Sequence, residues 1–428
     1  MVSCYALNGR GTDAYKTFDE MRLRGFAGDG FTFSALFSSC GSSGFLDLGK
    51  QTHGHSLRMG LEEDVVLGTS LVDMYAKCLA VDDARRVFDE MPVWNVVSWN
   101  SMIVGYGHCG HGEEAMKLLV GMIRGGWKPD ELTLSSVLSS CSCLAAETES
   151  IQLHGFAVKS GLQAFNSLAN ALIISYAKCG NIQSAASCFS SVPEPDLITF
   201  TSMIHSFAFH GVSVKALLLF DRMLRAGWEP DSVAFLGLLS ACSHGGKVGM
   251  GLSYFGLMRD VYRIKPSSEH YTCIVGLLGR AGYLREAYGV IAEMPFEPSA
   301  DALGAFLAAC KICENAEFAK WAAKKLFEME PEEAVNYKSM ANIYAGCRSW
   351  ERVAATRKKM REKRIRGVTG CSWMEINGRV QVFVSGDDSH AKTREIYSIL
   401  GLLIEVMRDE IGASKFVDHE HHKDHSFC

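Results

Sequence analysis

Proline is scarce in this chain, with nine in 428 residues, and charged side chains make up only 21% against 48% hydrophobic. That balance excludes an extensively disordered protein, which would be poor in apolar residues and rich in charge. No run approaches the eighteen or so consecutive apolar residues of a membrane span, so no membrane partner is expected. A basic excess is also missing. The chain has 43 Lys and Arg against 48 Asp and Glu, whereas nucleic-acid binders are usually basic. Residues 1–10 show no basic start followed by an apolar block, and none of the Arg- and Ser-rich amphipathic character of an organelle transit peptide. Fifteen cysteines are present, but Cys310-Lys311-Ile312-Cys313 is the lone C-x-x-C and has neither a second pair nor suitably spaced histidines. It is read as structural, and no metal or cofactor is expected.

What the chain does contain is repetition. A shift of 101 residues aligns Cys40, Cys141 and Cys242, then Met21, Met122 and Met223, and carries Tyr75-Ala76-Lys77-Cys78 onto Tyr176-Ala177-Lys178-Cys179. Cysteines that recur in this way on helix faces behave as small buried hydrophobes, which implies a reducing compartment. A period of 101 exceeds any single stacking unit and must decompose. Turn signals cut residues 30–64, 65–95 and 96–130 into units of 35, 31 and 35 residues, and 131–165, 166–196 and 197–231 in the same way.

The unit from Val96 shows what each must be. Val97, Trp99, Met102, Ile103 and Tyr106 recur at helical spacing before His108-Cys109-Gly110-His111-Gly112 interrupts them. A second stripe of Ala115, Met116, Leu118, Leu119, Met122 and Ile123 then ends at Gly125-Gly126. Such a helical hairpin cannot bury its apolar stripe alone, so neighbouring hairpins must stack into a superhelix and share one core. Function is therefore expected along one face of an all-α solenoid.

Long ordered stretches carry a family resemblance. They include Ser70-Leu71-Val72-Asp73-Met74-Tyr75-Ala76-Lys77-Cys78, Phe88-Asp89-Glu90-Met91-Pro92, Val97-Ser98-Trp99-Asn100-Ser101-Met102-Ile103 and Gly370-Cys371-Ser372-Trp373-Met374-Glu375-Ile376. With the 35/31/35 cadence, the chain resembles the plant pentatricopeptide repeat proteins of the mixed P, L and S subclass; a tetratricopeptide array would keep a uniform 34-residue period. The resemblance implies a right-handed solenoid. It divides the chain into a partial first repeat (1–29), repeats in L-S-P-L-S-P order (30–231), final L and S repeats (232–299), E motifs (300–376), an E-plus extension (377–410) and a His-rich disordered tail (411–428). Met1–Tyr5 aligns with the middle of a first helix, so half a helix is expected to be missing and a transit peptide to have lain upstream.

In the resembling family each repeat addresses one nucleotide of single-stranded RNA, through the fifth residue of its first helix and its last residue. The pairs are Thr69 with Asn95, Asn100 with Asp130, Asn170 with Asp196, and Thr201 with Asp231, implying A, U, U and G. Weaker candidates are Ser34 with Asp64, and Ser135, whose partner position holds the unreadable Phe165. Val66, Val97 and Ile198 are expected to flank base faces. Any one Asn or Asp at a helix start is more simply a cap, but four pairs in register favour readout of 5'-A-U-n-U-G. In the final repeats the fifth positions read as Leu236 and Cys273, which offer little polar readout.

Asn377-Gly378 between two alternating stretches signals a β-hairpin, and a helix is expected from about Thr393 to Asp409. The paired His-x-Glu and C-x-x-C elements of a zinc deaminase do not follow, so no catalytic residue is assigned. His419, His421, His422, His425 and Cys428 read as a loose tail, not a metal site. By resemblance, the chain is a non-enzymatic adaptor for cytidine-to-uridine editing of organellar transcripts, in mitochondrion or chloroplast with the former preferred. Expected partners are single-stranded RNA, a DYW-type cytidine deaminase acting in trans, and multiple organellar RNA editing factor proteins. The alternatives are an RNA-binding protein for transcript stabilisation, splicing or processing, and a protein-binding scaffold.

Overall fold

The computed structural model describes residues 1–61, 63–142, 147–365, 371–376, 379–384 and 392–420. Up to residue 362 the described chain is a succession of eleven helical hairpins. Their first helices are α1 (Val2–Leu7), α3 (Gly30–Ser43), α5 (Val65–Lys77), α7 (Val96–His108), α9 (Glu131–Ser142), α11 (Asn166–Lys178), α13 (Leu197–Phe209), α15 (Ser232–His244), α17 (Ser268–Arg280), α19 (Ala300–Ile312) and α21 (Ala334–Gly346). The second helices are α2 (Gly11–Leu23), α4 (Leu46–Arg58), α6 (Val81–Glu90), α8 (Gly112–Arg124), α10 (Glu147–Lys159), α12 (Ile182–Ser191), α14 (Ser213–Arg225), α16 (Val248–Asp260), α18 (Leu284–Ala292), α20 (Ala316–Met329) and α22 (Trp350–Glu362).

Local chemistry sets these limits. Asp29, Asp64, Asn95, Asp196 and Asp231 cap first helices by accepting backbone N–H bonds. Within the pair α7 and α8, Gly110 at φ 76° turns the chain between the helices. Between α5 and α6 the corresponding left-handed residue is Leu79, at φ 59°.

The expected stripes are the buried ones. Trp99, Met102, Ile103 and Tyr106 of α7 pack with Ala115, Leu118, Leu119 and Met122 of α8 in a core that runs from Val2 to Met258, and a second core runs from Leu239 to Ile343. Val97 and Ile123 depart from the stripe and are exposed.

The layers differ in how they meet. Each first helix packs on the next first helix throughout, from α1 on α3 to α19 on α21. Second helices pack on first helices of their own and the following hairpin, not substantially on each other. The first helices are thus the tightly spaced inner wall and the second helices the splayed outer layer. Small residues set the inner spacing. A Cβ on Gly105 would lie 2.7 Å from Cβ of Ala76, and one on Gly279 2.4 Å from Cβ of Ala309.

Donors near the helix ends then reach back to carbonyls at or just past the C-terminal end of the preceding first helix. His210 Nε2 lies 2.7 Å from the Ala177 carbonyl, His244 Nδ1 2.8 Å from that of Ala208, and Cys347 Sγ 3.4 Å from that of Glu314.

Beyond the hairpins, β1 (Cys371–Ile376) pairs antiparallel with β2 (Arg379–Val384), with Ile376 opposite Arg379. The expected turn residues Asn377 and Gly378 lie outside the described residues. A last helix, α23 (Thr393–Glu420), corrects the sequence reading: it continues past Asp409 through residues assigned to a disordered tail. The physical reason is local, since Glu410, Ala413 and Lys415 are good helix formers and no proline follows to stop them. His421, His422, His425 and Cys428 lie outside the described residues.

All described cysteines are free thiols. Burial raises the thiols of Cys40, Cys188 and Cys242 to about 11 and that of Cys310 to about 12. A thiol-reactive disulfide reagent at pH 8 should therefore label exposed Cys4, Cys313, Cys347 and Cys371 in the native protein, and Cys40, Cys188, Cys242 and Cys310 only after denaturation; rapid native labelling of the latter set would refute the packed register. Gly279→Val should cost about 1–3 kcal/mol in denaturant titration. Gly289→Ala in α18, where a Cβ meets nothing within 4 Å, should be neutral or slightly stabilising.

Candidate nucleic-acid interface

The inner wall carries a ladder of exposed apolar side chains where a soluble surface would ordinarily place polar ones. Phe31, Val66, Val97, Leu132, Ile198 and Val233 each occupy the second position of a first helix and are 50–82% exposed. Val66, Val97 and Ile198 were expected there. Phe31, Leu132 and Val233 were missed, although the same helix position would have identified them. Ser167 and Glu269 interrupt the ladder.

Three positions further along lies a polar side chain in α3, α5, α7, α9, α11 and α13, and Leu236 in α15. The Thr69 and Thr201 hydroxyls donate to the carbonyls of Val65 and Leu197, each at 2.7 Å. Their hydrogens are committed to the helix, which leaves the lone pairs of each hydroxyl as acceptors. Ser135 does the same toward the Glu131 carbonyl, and Ser34 is half-buried.

The residues paired with these are helix caps except Phe165, and capping fixes them without exhausting them. Asn95 accepts from the Ser98 amide at 2.8 Å through Oδ1, leaving its NH₂ group. Asp196 and Asp231 accept from the Thr199 and Ala234 amides, each through one oxygen at 2.7 Å. A capping Asn therefore turns a donor outward where a capping Asp turns an acceptor, and such a difference separates bases by their edges. Asp64 accepts from the amides of Val66 and Leu67. Phe165 precedes α11 without any side-chain cap.

Two pairs with identical letters are built differently. Asn100 Nδ2 reaches both carboxylate oxygens of Asp130, at 3.2 and 3.3 Å, and Asn100 Oδ1 lies 2.6 Å from the Thr133 hydroxyl. Asn170 makes no such bond with Asp196: its buried Oδ1 has no partner, although Thr199 donates to Asp196 as Thr133 does to Asp130. An unpaired buried acceptor of this kind is costly unless a ligand satisfies it.

Thr201 and Asp231 share one recess of about 510 Å³, with Ile198 and Val233 at its sides and Lys178 and Phe209 toward one end. A cavity of this size holds a planar ring with room to spare.

The final repeats require a correction. Helix α17 begins at Ser268, because the Ser267 amide bonds His270 Nδ1 at 3.1 Å in a capping box. His270 Nε2 also lies 2.9 Å from the Ser232 carbonyl, which ties α17 to α15. The fifth helical residue is therefore Thr272, not Cys273. The Thr272 hydroxyl donates to the Ser268 carbonyl at 2.9 Å, as Thr69 and Thr201 do in their own helices.

Comparison with known proteins agrees with this architecture. The PPR repeat model matches residues 1–26, 69–96, 167–194 and 269–297, a PPR repeat family model matches 94–143 and 195–244, and an E motif model matches 313–375. A putative pentatricopeptide repeat-containing protein of Arabidopsis thaliana is 36% identical over 407 residues, covering 95% of this chain and 69% of that protein. A mitochondrial pentatricopeptide repeat-containing protein of the same plant is 44% identical over 380 residues, covering 87% and 63%. The chloroplastic protein DOT4, also from Arabidopsis thaliana, is 39% identical over 401 residues, covering 94% and 46%. The chain belongs to the pentatricopeptide repeat family. It spans 54%, 64% and 60% of three other similar Arabidopsis proteins. Among solved structures, maize PPR10 aligns with a TM-score of 0.60, covering 84% of this chain and 57% of that one. PPR10 in complex with an 18-nt psaJ RNA element gives 0.64, covering 85% and 59%. Both are 17% identical, a likeness of fold.

Burial works against the charge on Asp130 and Asp196, but the hydrogen bonds they accept outweigh it and hold both carboxyls below their ordinary value. The stability each contributes is complete above the unfolded carboxyl value of about 3.9 and is lost as pH falls through the lower folded value. Asp130→Asn, which keeps a capping oxygen, should flatten the loss of melting temperature below about pH 4. Asp130→Ala should cost about 1 kcal/mol at pH 7. A wild-type acid limb unchanged by Asp130→Asn would contradict this account.

Proposed function

We propose that this chain is a sequence-specific single-stranded RNA adaptor for cytidine-to-uridine editing of organellar transcripts. Residues 30–299 hold the RNA, and residues 300–410 present it to a deaminase supplied in trans. The observation that carries the reading is the recess lined by Ile198 and Val233, two apolar side chains from consecutive first helices, together with Thr201 and capped Asp231. The repeats of α5, α7 and α13 carry an apolar second position, a polar fifth position and a capping last residue, so one strand laid along the inner wall meets these groups in register with the repeats.

The chain carries more acidic than basic residues, which does not oppose this. Discrimination here comes from base edges and caps, and phosphate neutralisation adds little, so affinity should fall only shallowly with salt. The matched E motif, and relatives named mitochondrial or chloroplastic, support the organellar and editing part of the proposal.

Purified protein should prefer an RNA bearing A-U-n-U-G over the same bases permuted. Asn100→Ala with Asp130→Ala should cut the preference for uracil at the second position about tenfold, roughly 1.4 kcal/mol, with little change elsewhere. Thr272, with Ser299 as the following cap, should impose a preference two positions after the G, and Thr272→Val should remove it. Equal binding of permuted RNAs by a folded sample would overturn sequence-specific readout. Altered transcript ends with unchanged cytidines in plants lacking the protein would favour processing over editing.

A further inference from the structure

The outer layer opens between α20 and α22 into a recess of about 650 Å³ floored by Tyr337, Met340 and Tyr344 of α21. Lys320 and Lys324 from α20 and Lys359 from α22 line it, together with Trp321, Phe327 and two carboxylates of α20, Glu317 and Glu328. The ion pairs among the described residues leave out all three lysines. Positive charge is concentrated here: residues 316–365 hold twelve Lys and Arg against seven Glu, in a chain with 43 against 48.

Its rings do not offer open faces. Phe327 stacks on Tyr337 with centroids 4.1 Å apart, Lys359 sits 5.3 Å over Phe327, and Lys325 sits 5.3 Å over Trp321. A nucleobase needs a free aromatic face. This recess presents ring edges and lysine stems, surfaces that suit aliphatic side chains, with ammonium groups around them that suit carboxylates.

The same chain has a helix of that chemistry. Every residue of α23 from Tyr397 to Met407 is exposed, and Ile399, Leu400, Leu403, Val406 and Met407 follow one another along one face at helical spacing. Residues 393–420 carry six acidic side chains against three basic ones. No residue of α23 lines the recess in its own chain. We infer that the recess between α20 and α22 receives α23 of a second copy of this chain, as an amphipathic helix of net negative charge laid between hairpins of net positive charge. The exchange is reciprocal, so the two copies form a closed pair with two identical contacts. This contact is on the outer layer and does not depend on how the inner wall reads RNA.

Light scattering on the full chain at tens of micromolar should give a mass approaching twice 46.9 kDa. Carbodiimide cross-linking of mixed light and heavy-isotope chains should join Lys320, Lys324 or Lys359 to carboxylates of residues 393–420 in mixed-isotope pairs. Lys320→Glu with Lys324→Glu, or Leu400→Asp with Leu403→Asp, should each raise the dimer dissociation constant at least tenfold while leaving helical content unchanged, because all four side chains are exposed. Mixing the two variants restores one intact contact and should recover pairing. A single-chain mass at every concentration, a dimer indifferent to both variants, or cross-links confined to one chain would overturn the inference. The last of these would instead mean that α23 folds back on its own recess.

Discussion

The contact on which this architecture depends is the one between consecutive first helices near their C-terminal ends. Gly105 against Ala76 and Gly279 against Ala309 leave no room for a larger side chain, and His210, His244 and Cys347 bond back to carbonyls of the preceding first helix. Both devices do the same job. Small residues let the backbones approach, and the returning hydrogen bonds give a second, inter-repeat donor to carbonyls such as those of Ala177 and Ala208, which also accept the turn amides of Gly180 and Gly211. Without this spacing the second position of one first helix and that of the next would not face each other across a gap suited to a ring.

From that spacing the readout chemistry follows with few additional parts. A cap is required wherever a first helix begins, and a capping Asn or Asp engages one side-chain atom with the helix while leaving the other. The stability requirement and the recognition requirement are therefore met by the same residue. Reading Asp130, Asp196 and Asp231 as structural caps does not compete with reading them as ligands, because the cap is what holds the second oxygen in place. The Thr residues at the fifth position are disciplined in the same way by their own helix carbonyls.

Much of this was legible in the sequence because a repeat forces the same local problem to be solved many times. The period placed helix starts at residues 30, 65, 96, 131, 166, 197 and 232, where the first helices begin. It slipped by one residue at α17, because the intervening stretch departs from the period and the start is decided by His270, whose ring bonds both the Ser267 amide and the Ser232 carbonyl. That tertiary contact leaves no periodic trace. The difference between Asn100, tied to Asp130 and Thr133, and Asn170, with an unpartnered oxygen, was equally invisible, since both pairs carry the same letters and comparable neighbours. The exposed ladder at Phe31, Leu132 and Val233 was hidden for another reason: an apolar residue at a helix start is ordinarily counted toward the core.

The two layers have divergent consequences. Because first helices pack on one another and second helices do not, the inner wall is continuous while the outer layer is a series of gaps. Along most of the chain a gap between second helices is only the geometric cost of curvature. Between α20 and α22 the lining is instead aromatic and carries three lysines beside Glu317 and Glu328, none of the three in an ion pair among the described residues. The positive excess over residues 316–365, in a chain that is net negative, sets the C-terminal hairpins apart from those whose chemistry lies on the inner wall. One packing asymmetry thus yields two kinds of surface: a repetitive wall whose specificity is spread over many equivalent positions, and a single recess whose specificity rests on one set of side chains.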